Sequence, residues 1–242
     1  MGTSMKISVL VAVLVLSARF ASADSIQLGS YGSGDSSLGD ANTAMNYAGY
    51  SSTSTTPTSG TGTTYALVPA PLWATPVTDS TWVGYSSSAG PVSTSNPAFG
   101  YYTFTTSFTA GSTAPYSGSL SVMADDTAEI LLNGTVLVPF GALGSDIHCA
   151  DAVPNCLTVD TISLSGISLL SGFDANTFTF VVQQAGLGPT GGNNDPSGVD
   201  FSAALSSVPE PSSLLLLSSG MLGCAAVIRR RKRPATPIAP RH

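Results

Sequence analysis

Asp125, Asp126 and Glu129 put three carboxylates within five residues of the segment MADDTAEI, and no Lys or Arg lies anywhere near them. Like charges this close raise one another's pKa unless water solvates them or a hard cation such as Ca2+ bridges them. A metal or glycan site is one chemistry open to this stretch; the other is a turn whose aspartates cap backbone amides. Trp73 and Trp82, in APLWATP and DSTWVGY with Tyr85 nearby, would stack on sugar rings if exposed. Their alternative is to anchor the core, where tryptophan usually lies. His148 directly precedes Cys149, and neighbours on an extended chain point to opposite sides, which argues against a Cys-His nucleophilic dyad. No HExxH, GxSxG or P-loop spacing occurs, and a zinc site lacks its usual number of Cys and His. The expectation is therefore a non-enzymatic protein with no catalytic residues. The alternative is a secreted carbohydrate-active hydrolase, because its carboxylate pair can be distant in sequence.

The elements that position these groups belong to one medium domain, since the chain has 242 residues and a domain of that size buries roughly 70% of its unfolded surface. Its eight basic residues are Lys6, Arg19, Arg229, Arg230, Arg231, Lys232, Arg233 and Arg241. All lie in the two terminal segments. Between Asp24 and Glu210 there are fourteen acidic residues and no Lys or Arg, so the body carries −14 while the whole chain carries −6. A polyanion of this kind repels phosphate backbones, which argues against a nucleic-acid partner. It also has no Lys-carboxylate or Arg-carboxylate bridges, which leaves apolar burial, the backbone ladder and bound cations to hold it together.

Both ends read as targeting segments. From Met5 the sequence MKISVLVAVLVLSARFASA has one lysine, an apolar run Ile7 to Leu16, and small residues at Ala21 and Ala23. This is the pattern of a secretory signal peptide cleaved after Ala23, and the run is too short for a stable membrane span. Export permits a disulfide. Cys149 and Cys156 in HCADAVPNC flank a Pro-Asn turn and are expected to staple that loop, the other reading being two buried thiols. Cys224, in the C-terminal apolar segment, has no expected partner.

That segment follows Pro209-Glu210-Pro211 and precedes Arg229, Arg230, Arg231, Lys232 and Arg233. The prolines disfavour helix, so a transmembrane helix is expected over 212–228, near the lower length limit for a span. The basic cluster should remain on the cytoplasmic side of the inner membrane. The stiff, non-helical tripeptide then sits at the outer boundary, exposed to a protease. The order of Pro-Glu-Pro, short apolar helix and Arg-rich cluster closely resembles the PEP-CTERM sorting signal of Gram-negative bacteria. The resemblance covers about 26 of the 242 residues. It implies processing by exosortase, an integral membrane cysteine transpeptidase-like enzyme, and an association with exopolysaccharide and biofilm production. The expected destination is the cell surface or extracellular matrix.

The body itself reads as all-β, with short runs of Val, Ile, Thr, Tyr and Phe punctuated by Gly, Ser, Asn and Pro, as in a β-sandwich. In YYTFTTSFT, Tyr102, Phe104 and Phe108 alternate with Thr103, Thr105 and Ser107; Phe178 and Phe180 alternate similarly in TFTFVV. Alternation of this kind puts one face in a core. In AEILLNGTVLV, Asn133-Gly134 sits between two apolar runs and predicts a type I′ hairpin, whose central residues both need positive φ. Ser51 to Thr64, with eleven Ser or Thr in fourteen residues, reads as an exposed loop. It is expected to separate an N-terminal strand near Ser25 to Gly29 from the sandwich proper. Without lysines to guard sheet edges, Asp79, Pro97, Pro115 and Asp160 are the expected protectors. The "ADD…NG" strand-turn-strand resembles galactose-binding-like sandwiches and protective-antigen-type lectin domains. The resemblance implies a jelly-roll or galactose-binding-like sandwich in which Asp125, Asp126 and Asn133 hold calcium and glycan. The expected organisation is a signal peptide 1–23, a strand and Ser/Thr-rich loop 24–64, a sandwich 65–207, a sorting signal 208–233 and a cytoplasmic tail 234–242.

Overall fold

A computed structural model of the protein describes residues 23–30, 41–92, 97–145, 148–172, 174–185 and 195–207, with 220, 222 and 223 near the C-terminus. Residues Ala23–Val208 form one compact unit. The signal sequence with Ala21, the tripeptide Pro209-Glu210-Pro211, the basic cluster Arg229 to Arg233 and the tail 234–242 lie outside the described residues, as does nearly all of the span 212–228. Among the described residues, no helix is long and apolar enough to cross a membrane.

Among the described residues, eleven strands build the body: β1 (Ser25–Gly29), β2 (Ala41–Ser51), β3 (Gly62–Ala66), β4 (Val83–Gly84), β5 (Gly100–Thr109), β6 (Tyr116–Asp125), β7 (Thr127–Leu132), β8 (Thr135–Val138), β9 (Asp160–Ile167), β10 (Ala175–Gln184) and β11 (Gly198–Ser207). They form a single antiparallel sheet in the order β8-β7-β10-β5-β2-β3-β4-β11-β6-β9, with β1 added along β11. The link between β3 and β4 is short, consisting of Tyr65 opposite Gly84 and Ala66 opposite Val83. About that link the sheet curls on itself, and the inward faces of β10 and β11 meet, with the rings of Phe180 and Phe201 4.5 Å apart.

The alternating strands behave as their period of two requires. Tyr102, Phe104 and Phe108 of β5 and Phe178, Phe180 and Val182 of β10 are buried in one core with Leu120, Val122, Ile130 and Leu205. Register places Phe180 between Phe104 on one side and Ile130 on the other, so each aromatic covers the next. The Asn133-Gly134 turn joins β7 to β8 with φ of 51° and 80°, as hairpin chemistry demands. Asp160 opens β9, one outermost strand, and the other, β8, is only four residues long; a short edge is itself a protection against unwanted pairing.

The expected strand at Ser25–Gly29 is present as β1, but it is not set apart from the sandwich: β1 pairs with β11 from Ser25 opposite Ser206 to Gly29 opposite Ser202, and β2 sits inside the sheet between β3 and β5. The sequence of β2, ANTAMNYAGYS, is poor in β-branched residues, so its strand conformation comes from its two neighbours rather than from propensity. Gly49 makes the pairing possible at a bulge. Its φ is +135° and an added Cβ would lie 2.5 Å from the Gly60 carbonyl oxygen. Of the Ser/Thr-rich stretch only residues 52–61 form the exposed connection between β2 and β3; Ser51 ends β2 and Thr64 lies in β3, both buried.

Candidate functional site

Asp126 is the single residue between β6 and β7, so the acid pair lies where the chain passes from one half of the curled sheet to the other. Strand pairing carries Asp125 into the interior opposite Gly198, and Asp126 is tied by its own backbone. Its N–H donates to the Gln183 carbonyl at 3.0 Å, and its carbonyl accepts from Ala150 N–H at 3.0 Å. Asp125 is 0% exposed and Asp126 3%.

Trp73, on the connection from β3 to β4, donates its indole Nε1–H to Asp125 Oδ2 at 2.5 Å. Asp125 Oδ1 is buried with no donor directed at it. The neighbouring Asp126 carboxyl satisfies it only when one of the two acids carries a proton. Burial, and then the charge of Asp126, push the Asp125 carboxyl well above the usual carboxylate range, against the opposing Trp73 bond. For Asp126, burial raises the pKa to about 6; the Ala185 N–H opposes this, and Asp195 adds to it. That N–H donates to Asp126 Oδ2 at 2.7 Å.

The third carboxylate at the site is Asp195, 3% exposed, just before β11. Sequence reasoning missed it, because it stands 69 residues from Asp126 in the stretch GGNNDPSG. Glu129, the third acid of the local cluster, is half-buried on β7 opposite Val181. Asn133 is also elsewhere. It lies past the far end of β7, about 23 Å along the strand from Asp126 at roughly 3.3 Å per residue. There its side-chain Oδ1 accepts from Thr177 N–H at 2.9 Å, and its Nδ2 donates to Asn176 Oδ1 at 2.9 Å. It holds the hairpin tip to β10.

A buried acid elsewhere in the body provides the contrast. Asp200 is also 0% exposed, yet Ser30 Oγ donates to its Oδ1 at 3.0 Å and Val77 N–H to its Oδ2 at 2.8 Å. Both oxygens of that structural carboxylate are occupied. The Asp125-Asp126-Asp195 group instead gathers three acidic side chains in the interior, with Asp125 Oδ1 unmatched. Hard divalent cations take carboxylate oxygens of this kind.

Cys149 and Cys156 are joined by a disulfide with a Cα–Cα distance of 5.4 Å. Its sulfurs and an Asp125 carboxylate oxygen all lie within 4.8 Å of one another. Bonded sulfurs offer no thiolate to a metal, so the bridge belongs to the wall of the site and the carboxylates remain the donors. The loop it closes wraps the acids, with Ala124 N–H donating to the Asn155 carbonyl at 3.2 Å. His148 is close enough for its charge to favour the ionised form of Asp126. Trp73 and Trp82 are 5% and 0% exposed and stacked at 4.3 Å. They are core anchors that pack with Leu67, Met123 and the disulfide. Gly198 allows this, since a Cβ there would sit 2.8 Å from the Trp73 ring.

At the C-terminal end, residues 207–232 match the PEP-CTERM protein-sorting motif. The chain carries a PEP-CTERM signal. Such a motif implies an exported protein, sorted to the cell surface or extracellular matrix and processed by exosortase. No curated protein sequence matches the chain. Among solved structures, the chain is similar to the Podospora anserina GH26-CBM35 β-(1,4)-mannanase at 14% identity, covering 78% of this chain and 29% of that one, with a TM-score of 0.34. It is also similar to the β-glucosidase from Kluyveromyces marxianus at 15% identity, covering 51% and 13%, with a TM-score of 0.27. The chain thus spans less than a third of either of these proteins.

Proposed function

We propose that this PEP-CTERM protein is a non-enzymatic component of the cell surface or matrix, built on a galactose-binding-like or jelly-roll sandwich, that binds glycan with the help of Ca2+ held by Asp125, Asp126 and Asp195. The observation that carries this reading is the burial of three carboxylates at one place in a body without Lys or Arg. Buried charge of one sign is costly unless neutralised by protons or a cation. Calcium accepts the six to eight oxygens that carboxylates, backbone carbonyls and sugar hydroxyls supply. The geometry favours binding over hydrolysis, since Asp125 is fully covered and a general acid must reach the glycosidic oxygen. The glycan proposed is the exopolysaccharide of a biofilm matrix, and the C-terminal apolar segment serves as a temporary inner-membrane anchor ahead of exosortase cleavage.

Calorimetry of the purified chain with Ca2+ tests the cation site. Binding should raise the melting temperature, by an amount equivalent to about 2.7 kcal/mol at a hundredfold excess over Kd, and Asp195→Asn should weaken it. Absence of both calcium heat and a melting shift rules out the cation site. Mass analysis of the mature protein should find a C-terminus near Pro209 to Pro211; an intact Arg-rich tail identifies a permanent anchor instead.

A further inference from the structure

Cys149 and Cys156 close a loop that is attached to the body by bonds other than its bridge. On one side Ala150 N–H donates to the Asp126 carbonyl at 3.0 Å, and on the other Ala74 N–H donates to the Cys156 carbonyl at 2.9 Å. Between them Asn155 accepts Ala124 N–H at its carbonyl, while its side-chain Oδ1 accepts from Leu157 N–H at 2.9 Å and Thr158 N–H at 2.8 Å. Opening the bridge therefore leaves both cysteines in place. A reduced Cys156 also finds an acceptor ready, since its Sγ lies 3.5 Å from the His148 carbonyl oxygen. An Asp125 carboxylate oxygen lies within 4.8 Å of both sulfurs. Asp125 Oδ2 is held by the Trp73 indole, but Oδ1 is buried without a hydrogen-bond partner, and a buried polar atom in that condition calls for an explanation.

We propose that, with the bridge reduced, Cys149, Cys156 and Asp125 form a zinc site of two thiolates and one carboxylate, with water at the fourth corner. The redox step balances: a dithiol gives two electrons and two protons, the bridge opens to two thiols, and the dithiol closes to a disulfide. Zinc then displaces the two thiol protons. Tetrahedral zinc takes thiolate sulfur at about 2.3 Å and carboxylate oxygen at about 2.0–2.2 Å, which spaces the two sulfurs at about 3.8 Å and each sulfur from the oxygen at about 3.5 Å. The Cα–Cα distance of 5.4 Å admits the first spacing, and side-chain rotation closes the second from within 4.8 Å. Soft thiolates select zinc over Ca2+ and Mg2+. Because the proposed calcium site uses the same Asp125, the state of the bridge decides which ion the body holds: the hard one with the bridge closed, the softer one with it open. Zinc then closes the loop in place of the sulfur-sulfur bond. The inference stands on the loop and its three ligand atoms and needs no glycan.

The test uses the full chain in mild detergent, purified under dithiol so that the bridge never closes, then freed of dithiol in the absence of air and titrated with Co2+ as the spectroscopic stand-in for Zn2+. The reduced chain should bind Co2+ with a thiolate-to-cobalt charge-transfer band, and Zn2+ should bleach that band and raise the melting temperature. The oxidised chain should show no such band; this arm needs no substitution, so misfolding cannot imitate it. Cys149→Ser and Cys156→Ser should each abolish the band. Asp125→Asn, which keeps an oxygen for the Trp73 indole, should weaken Co2+ binding at least tenfold. Absence of the band in the reduced wild type overturns the inference. So does wild-type Co2+ affinity in Asp125→Asn, since the thiols would then act without the carboxylate. Calcium heat in the oxidised chain with no cobalt band in the reduced one removes the thiol site and leaves the calcium site standing; the band without calcium heat does the reverse.

Discussion

Replacing Asp126 by Asn should stabilise the calcium-free protein at neutral pH, and the size of the effect follows from its surroundings. Burial raises the Asp126 carboxyl from its ordinary 3.8 to about 6. Between those values the folded state holds more protons than the unfolded one, so stability falls as pH rises through the window. Below pH 3.8 both states are protonated and nothing is lost; above about 6 the full penalty applies. At about 1.36 kcal/mol per unit of pH, that penalty is about 3 kcal/mol. Asn keeps an oxygen to accept the Ala185 N–H and carries no charge. In a body of this size, about 3 kcal/mol corresponds to a melting temperature higher by about 6–12 °C. Calorimetric melting in chelator at pH 7.5 should show that gain, and at pH 3.5 the two proteins should melt together. With saturating Ca2+ the order should reverse, because only the wild type recovers the cost through the ion. If the Asn variant melts below the wild type in chelator at pH 7.5, Asp126 is a net structural asset and the argument from buried repulsion fails.

Two further substitutions probe the wall of the site. Gly198→Ala drives a methyl to 2.8 Å from the Trp73 ring and 3.0 Å from the Val83 carbonyl oxygen, and overpacking of this kind costs about 1–3 kcal/mol, read as a lowered denaturation midpoint. Replacing Cys149 and Cys156 together by Ser opens a loop whose ends are 7 residues apart; closure entropy puts the loss at about 2.5 kcal/mol. The disulfide also lines Asp125, so the double variant should lose calcium affinity as well as stability; unchanged calcium heat would detach the loop from the site.

What the sequence by itself determined is what short-range rules reach. A period of two put Tyr102, Phe104, Phe108, Phe178 and Phe180 in the core, and the positive φ at Asn133 and Gly134 follows from turn chemistry. The sorting motif was equally legible, since its meaning lies in the linear order of prolines, apolar run and basic cluster. Strand β2 was not legible, because Ala, Asn and Gly carry little β preference and its neighbours impose its conformation. At the site, the acid pair was visible as a local crowding of charge, but its company was not. Trp73 reaches Asp125 across 52 residues, and Asp195 joins from the segment leading into β11. Asn133, only seven residues from Asp126 in sequence, is carried away from it because an intervening strand is extended. Neighbourhood along a β-chain means separation in space, and which distant residues meet is decided by sheet register and by the curl that lays β10 over β11.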